Sequence, residues 1–261
     1  MYEFEFEQPG SVADAVAALK SEDAQALGGG QTLLPTMKQR LASPVKLVSL
    51  SGIGEMQGVS EDGGVVSVGG ATTHAAVAAG AGAYPALADL AGHIGDPAVR
   101  NRGTIGGSLA NNDPSADYPA AALASGATIV TDSREIAADD FFQGMFDTVL
   151  NEGEIITGVR FPVPEAANYQ KFLQPASRFA LVGVFVAKTA DGARVAVTGA
   201  SEEGVYRWSE AEAALSADFS AGALDGLSVS ADGMISDLHG SGAYRAHLAA
   251  VLTKRAVIAA G

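Results

Sequence analysis

The sequence has no cysteine, a single tryptophan, and only 16 lysines and arginines against 30 acidic residues in 261 positions, a net charge of −14. Without cysteine the chain forms no disulfide, has no thiolate nucleophile, and ligates neither zinc nor an iron–sulfur cluster through sulfur. The shortage of cations argues against a nucleic-acid partner and against an anionic membrane surface. Long apolar runs are missing too: the stretch 75–87 is mostly Ala and Gly and is broken by Pro85, so no segment reads as a membrane span. Met1 to Glu7 lacks the basic region and apolar run of a secretory signal. A soluble cytoplasmic protein is the expectation. With 48% hydrophobic and 18% charged residues the chain has ample material for a core, and its length allows one or two domains.

The periodicities divide the chain into three parts. Glu3 to Glu7 alternates acid and Phe, as an edge strand does, and Ser11 with Asp14 marks a helix start. A strand at Ala26-Leu27 runs into Gly28-Gly29-Gly30, then a helix from Thr32 to Leu41 and a strand from Val45 to Leu50. From Val65 a strand, an Ala-rich helical stretch (Thr72–Leu90, interrupted at 82–85) and a polar segment from Gly92 to Asp117 follow. That segment is long for a connection without function. Next come a helix from Tyr118 to Ser125 and strands at Ala127–Thr131 and Glu154–Phe161. Beyond Pro162 and Pro164, three strands are expected at Tyr169–Leu173, Ala180–Lys188 and Arg194–Gly199, with Asp191-Gly192 as a hairpin turn. Helices at Glu210–Leu215 and Tyr244–Ala260 complete the chain. The expected class is α+β. A domain over 1–165, with subdomains 1–57 and 58–165, precedes a C-terminal domain over 166–261 built on a three-stranded antiparallel sheet with helices.

Two turns carry chemistry. In Leu27-Gly28-Gly29-Gly30-Gln31-Thr32 the glycines let main-chain N–H groups converge on an anion, a helix N-terminus adds positive potential, and Thr32 adds a hydroxyl. No Gly-Lys-Ser/Thr follows, so this is not a P-loop, and the spacing is not that of a dinucleotide fold. Thr104-Ile105-Gly106-Gly107-Ser108 again pairs glycines with hydroxyls, and Asn111, Asn112, Asp113 and Asp117 follow. Such groups suit a ligand with phosphates and sugar hydroxyls. Taken singly, each turn is equally consistent with a purely structural role. The four histidines (His74, His93, His239, His247) show no metal-ligand spacing. His74 is expected to cap or pack, and Trp208 to fill core or surface.

Together the two turns resemble a known family, the FAD-binding medium subunits of molybdenum hydroxylases, which include aerobic carbon monoxide dehydrogenase and xanthine dehydrogenase. The similar stretches are Gly28 to Lys38, Arg102 to Ser108, Asp113 to Asp117, Glu154 to Thr157, Tyr169 to Phe172 and Tyr244 to Leu248. The resemblance spans nearly the whole chain. It implies non-covalent FAD, with Gly28, Gly29, Gly30, Gln31, Thr32 and Leu33 on the pyrophosphate. Thr104, Ile105, Gly106, Gly107 and Ser108 would form the opposite wall. It further implies that Asn111, Asp113 and Asp117 bond the ribityl and adenosine portions. Ile94 and Gly95 would meet the isoalloxazine ring, with His93 beside them, and Ile156 the ring or the adenine. Gln174 stands where some relatives have a basic residue.

The same resemblance implies an oxidoreductase that is one subunit of a complex. A large subunit would hold the molybdenum cofactor and a small subunit two 2Fe-2S clusters, the whole being a dimer of heterotrimers. Electrons would pass from the clusters through FAD to NAD, a quinone or oxygen, while a small substrate (carbon monoxide, an N-heterocycle, a purine or an aldehyde) is hydroxylated. No catalytic residue and no metal ligand is expected in this chain. Two other readings stay open at this point: a stand-alone FAD-dependent reductase or oxidase, and a non-catalytic scaffold subunit.

Overall fold

The computed structural model describes residues 1–261 and contains three main sheets. The first part runs β1 (Glu5–Glu7), α1 (Val12–Ala18), β2 (Ala24–Leu27), α2 (Leu33–Lys38) and β3 (Lys46–Ser49). Its strands pair in parallel in the order β1-β3-β2. Ser11 caps α1 by accepting from the Asp14 N–H at 3.1 Å, and its hydroxyl donates back to the Asp14 carboxylate at 2.7 Å. This is the reciprocal cap read from the sequence. Ala15, Leu19, Val48 and Leu50 form a small core that also takes in Ile53, Met56 and Ile155.

The second part runs β4 (Val59–Asp62), β5 (Val65–Gly69), α3 (His74–Gly80), α4 (Pro85–Gly92), α5 (Pro97–Arg100), α6 (Ile105–Asn111) and α7 (Tyr118–Ser125). It continues through β6 (Thr128–Thr131), β7 (Glu135–Ala137), α8 (Ala138–Phe141), a hairpin of β8 (Phe142–Gly144) with β9 (Asp147–Thr148), and β10 (Ile156–Pro162). Its five strands are antiparallel in the order β4-β5-β10-β6-β7. The polar segment 92–117 is not one long connection. It holds α5, capped by Asp96, and α6, capped by Thr104. Asp or Thr three residues before a free N–H suffices to start such short helices.

The third part is β11 (Ala166–Leu173), β12 (Ala180–Thr189), β13 (Gly192–Ser201), β14 (Gly204–Arg207), α9 (Ser209–Ala217) and α10 (Gly242–Ala260). Its antiparallel sheet has four strands in chain order, one more than the three read from the sequence. The added strand, β14, is only four residues long and joins β13 through an irregular register, so its alternation is too brief to stand out. The turn at Asp191-Gly192 is present, with Gly192 at φ 128°.

This sheet is covered on both faces. Val182, Val184 and Val186 face α9 and α10, where Leu215, Leu248 and Leu252 pack. Phe185, Ala187 and Ala196 face the core that contains α7. Burial on both sides is why β12 reads as an unbroken apolar run and not as an alternation. All eight residues of α7 are buried, which only small side chains permit at that packing.

Candidate functional site

The two glycine turns come together. A Cβ on Gly28 would lie 2.8 Å from the Thr104 hydroxyl, and one on Gly29 would lie 1.9 Å from the Arg102 carbonyl oxygen. At these two positions nothing larger than hydrogen fits between the turns. Between them opens a cavity of about 700 Å³, within the roughly 300–1,000 Å³ usual for small-molecule and cofactor sites.

Of the residues singled out from the sequence, Gly28, Gly29, Gly30, Gln31, Thr32, Leu33, Ile94, Gly95, Thr104, Gly106, Gly107, Ser108, Asn111, Asp113, Asp117 and Ile156 all line this cavity. Ile105 does not. Its side chain is fully buried in the core beside Leu109 and Tyr118, because the first turn of α6 must bury one face to stay in place. Gly106 reaches the wall but serves packing: its N–H donates to the Gly70 carbonyl at 2.9 Å, and a Cβ there would meet that oxygen at 2.6 Å.

The first turn is rich in unused donors. The main-chain N–H groups of Gly29, Gly30, Gln31 and Thr32 have no acceptor within the protein. Thr32 precedes α2 without a side-chain cap, so its hydroxyl is free of that duty. Successive unpaired N–H groups at a helix start form a concave anion site. The second turn is different. The Thr104 hydroxyl accepts from the Gly107 N–H at 3.2 Å, and the Thr104 carbonyl accepts from the Ser108 N–H at 3.0 Å. Gly107 itself is exposed toward the cavity.

Asp117 is buried at the wall and already satisfied. The Tyr169 hydroxyl donates to it at 2.6 Å, and the Lys171 ammonium lies 3.0 Å away. Burial pushes the Asp117 carboxyl upward, and Lys171 and Tyr169 pull it back toward the charged form. Lys171 also donates to the His93 carbonyl at 3.1 Å, tying β11 to the turn that carries Ile94 and Gly95. His93 itself is not in the wall. Its ring is exposed and its Nδ1 pairs with the Asp89 carbonyl at 2.9 Å.

Several wall residues escaped the sequence reading. His74 is 5% exposed, and burial, with the Arg100 charge adding, lowers its pKa to about 4. It is therefore neutral at pH 7. Its Nδ1 has no partner, nor has the Tyr118 hydroxyl, whose ring centroid is 5.4 Å away. Glu154 is gripped by Arg134 (Nε to Oε1, 2.9 Å), by the Thr131 hydroxyl (2.7 Å) and by the Asn151 N–H (2.8 Å). Arg134 first, then the other donors, hold its carboxyl down at about 2. Phe146 reaches the cavity from the β8–β9 hairpin in a left-handed conformation (φ 59°), held where Asn112 Nδ2 donates to the Gly144 and Asp147 carbonyls at 2.7 and 2.9 Å. Ser177, Arg178 and Phe179 come from the β11–β12 hairpin, and Arg178 is the only lysine or arginine in the wall. None of these carries a local motif; only the strand pairings bring them here.

Comparison with known proteins agrees with this geometry. Residues 2–164 match the family described as the FAD binding domain in molybdopterin dehydrogenase. The chain is 34% identical to the carbon monoxide dehydrogenase medium chain of Afipia carboxidovorans, over 97% of this chain and 95% of that one. It is 35% identical to the nicotine 6-hydroxylase medium subunit of Paenarthrobacter nicotinovorans, over 98% and 96%. A solved structure, reconstituted CO dehydrogenase from Oligotropha carboxidovorans, superposes with a TM-score of 0.89 at 32% identity, over 99% of this chain and 98% of that one. The chain belongs to the family of FAD-binding domains of molybdopterin dehydrogenases.

Proposed function

We propose that this chain is the electron-transfer subunit of a molybdenum hydroxylase, carrying FAD non-covalently in the cavity between the two glycine turns. The observation that carries this reading is the row of unpaired N–H groups at Gly29 to Thr32 facing a cavity whose other walls are already internally bonded. Those donors would take the pyrophosphate oxygens, and Gly107 would let the ligand lie against the second turn without a side chain in the way. Thr32, Ser108, Asn111 and Asp113 would bond the sugar and ribityl hydroxyls. Ile94, Gly95 and Ile156 supply the apolar surface that a flavin ring needs. Neutral His74 offers one N–H or one lone pair at the base of the wall. The bound flavin would supply the redox chemistry; the chain's task is to hold, orient and shield it.

In this reading electrons arrive from iron–sulfur clusters in a separate small subunit and leave to NAD, a quinone or oxygen. The substrate is oxidised at a molybdenum centre in a large subunit, in a cytoplasmic dimer of heterotrimers. The absence of cysteine fits that division of labour, because this chain has no thiolate with which to hold the clusters.

The test is a visible absorption spectrum of the purified chain before and after acid precipitation, with chromatography of the released nucleotide. About one FAD per chain is expected. A colourless chain that also fails to take up added FAD, alone and in its complex, would overturn the reading.

A further inference from the structure

The feature not accounted for by the cavity lies on its rim. Leu238 is 91% exposed at the apex of the turn Asp237–Gly240, more than any other large hydrophobic residue in the chain. An apolar side chain this exposed would ordinarily sit on a loose loop, yet this turn is fixed at both ends. The Asp237 carboxylate accepts from the His239 N–H at 2.9 Å, the Gly240 N–H at 3.2 Å and the Arg245 guanidinium at 2.8 Å. Arg245 is 1% exposed and donates onward to the Leu181 and Gly199 carbonyls, each at 2.7 Å. The turn is thus bolted to β12 and β13 by a buried guanidinium. A rigid apolar knob loses little freedom on docking, which is what an interface anchor requires.

The knob adjoins the cavity. His239, next in the chain, packs edge-on against Phe179 (centroids 5.3 Å apart) and pairs with Gln174 at 2.7 Å. Phe179 and Arg178 in turn line the cavity mouth. Exposed Tyr244 packs beside Gly240 and widens the apolar surface. Arg178 is exposed, has no carboxylate within ion-pairing distance, and stands in a left-handed turn (φ 58°). A free cation on a chain of net charge −14 calls for an acidic group opposite it.

We infer that the surface around Leu238, Tyr244 and Arg178 docks the iron–sulfur subunit, with Leu238 filling an apolar socket and Arg178 facing a carboxylate. This rests on the proposed electron-transfer role. A subunit that delivers electrons into the cavity must close on its rim, whereas one that only binds substrate has no such need. Clusters of exposed apolar residues with a charged neighbour are common marks of such contacts.

The experiment is co-expression with both partner subunits and measurement of this chain's affinity for the iron–sulfur subunit, for wild type, Leu238→Asp, Arg178→Glu and Ile258→Asp. Ile258 is 68% exposed near the far end of α10 and serves as the control. Leu238→Asp should weaken binding by about tenfold or more, the worth of one buried leucine. Arg178→Glu should weaken it and flatten its salt dependence, and Ile258→Asp should stay within about twofold. Binding by Leu238→Asp within about twofold of wild type would overturn the inference. So would loss of the large subunit with the iron–sulfur subunit retained. Lack of FAD in the wild-type complex would refute the electron-transfer role instead, and is read on the same samples.

Discussion

The two glycine turns touch each other and line one cavity, yet they are built to opposite rules. Gly29 to Thr32 leave their N–H groups without acceptors, while the Thr104 turn spends its donors internally on Thr104 and Gly70. The first turn is complete only when something anionic arrives. The second is complete already and acts as a rigid wall. Glycine is present in both, for different reasons. At Gly29 it admits a neighbouring carbonyl; at Gly107 it leaves space for a ligand.

The sharpest way to break this contrast is a pair of substitutions. Gly29→Val drives a side chain into the Arg102 carbonyl, so the turns must separate. The apo chain should lose several kcal/mol, about 3 or more, and bind no FAD. Gly107→Val meets only the Thr104 hydroxyl, 3.0 Å from its Cβ, and otherwise stands in the cavity. It should abolish FAD binding while the apo chain unfolds within a few degrees of wild type. Thermal unfolding of the two apo variants, beside FAD titration, separates steric blockage from collapse. Equal stability for both would end the distinction.

A smaller effect sharpens it. Thr104→Ala removes the cap on α6 and should cost the apo chain about 1 kcal/mol. Thr32→Ala removes no cap and should leave apo stability within about 0.5 kcal/mol, while weakening FAD by up to about tenfold through one lost hydrogen bond. Calorimetry on both variants, with and without FAD, reads each term.

The smallest effect concerns a wall that belongs to neither turn. Glu154 titrates at about 2 instead of its ordinary 4.5, chiefly because Arg134 and neighbouring donors favour its charged form. A lowered acid pKa contributes stability that is present above the ordinary value and disappears as pH falls through the lowered one. The gap in stability between wild type and Glu154→Gln should therefore be full near neutrality and close between pH 4.5 and about 2. Denaturant unfolding across that range checks it. A gap that persists unchanged at pH 2 would mean that the charge of Glu154 is not what Arg134 holds.

Much of the fold was legible because local chemistry and tertiary structure agree. The Ser11 cap, the all-buried helix Tyr118–Ser125 and the apolar run of β12 each announce themselves within a few residues. The glycine turns were legible for the same reason, since main-chain donors and missing side chains are local properties. The short helix Ile105–Asn111 was hidden by its two glycines, which read as a loop until Thr104 is seen to cap them. β4 and β14 are four residues each and depend on their partners for definition. His74, Phe146 and Arg178 reach the cavity from three separate elements, and Ile105, similar in local character to its neighbours, turns inward. Which way a side chain points in a short helix is decided by what packs behind it, and that information is spread over the whole chain.

The buried pair of Asp117 and Lys171, bridged by the Tyr169 hydroxyl, has a consequence for how this protein can change over generations. Losing either partner alone leaves an uncompensated buried charge, a cost of about 3–5 kcal/mol, a large part of a domain's whole stability. Exchanging both together for apolar residues of similar size costs far less. Positions 117 and 171, 54 residues apart in the chain, are thus constrained to drift as one unit. A lineage that alters one of them without the other must have rebuilt the contact between α7 and β11 first.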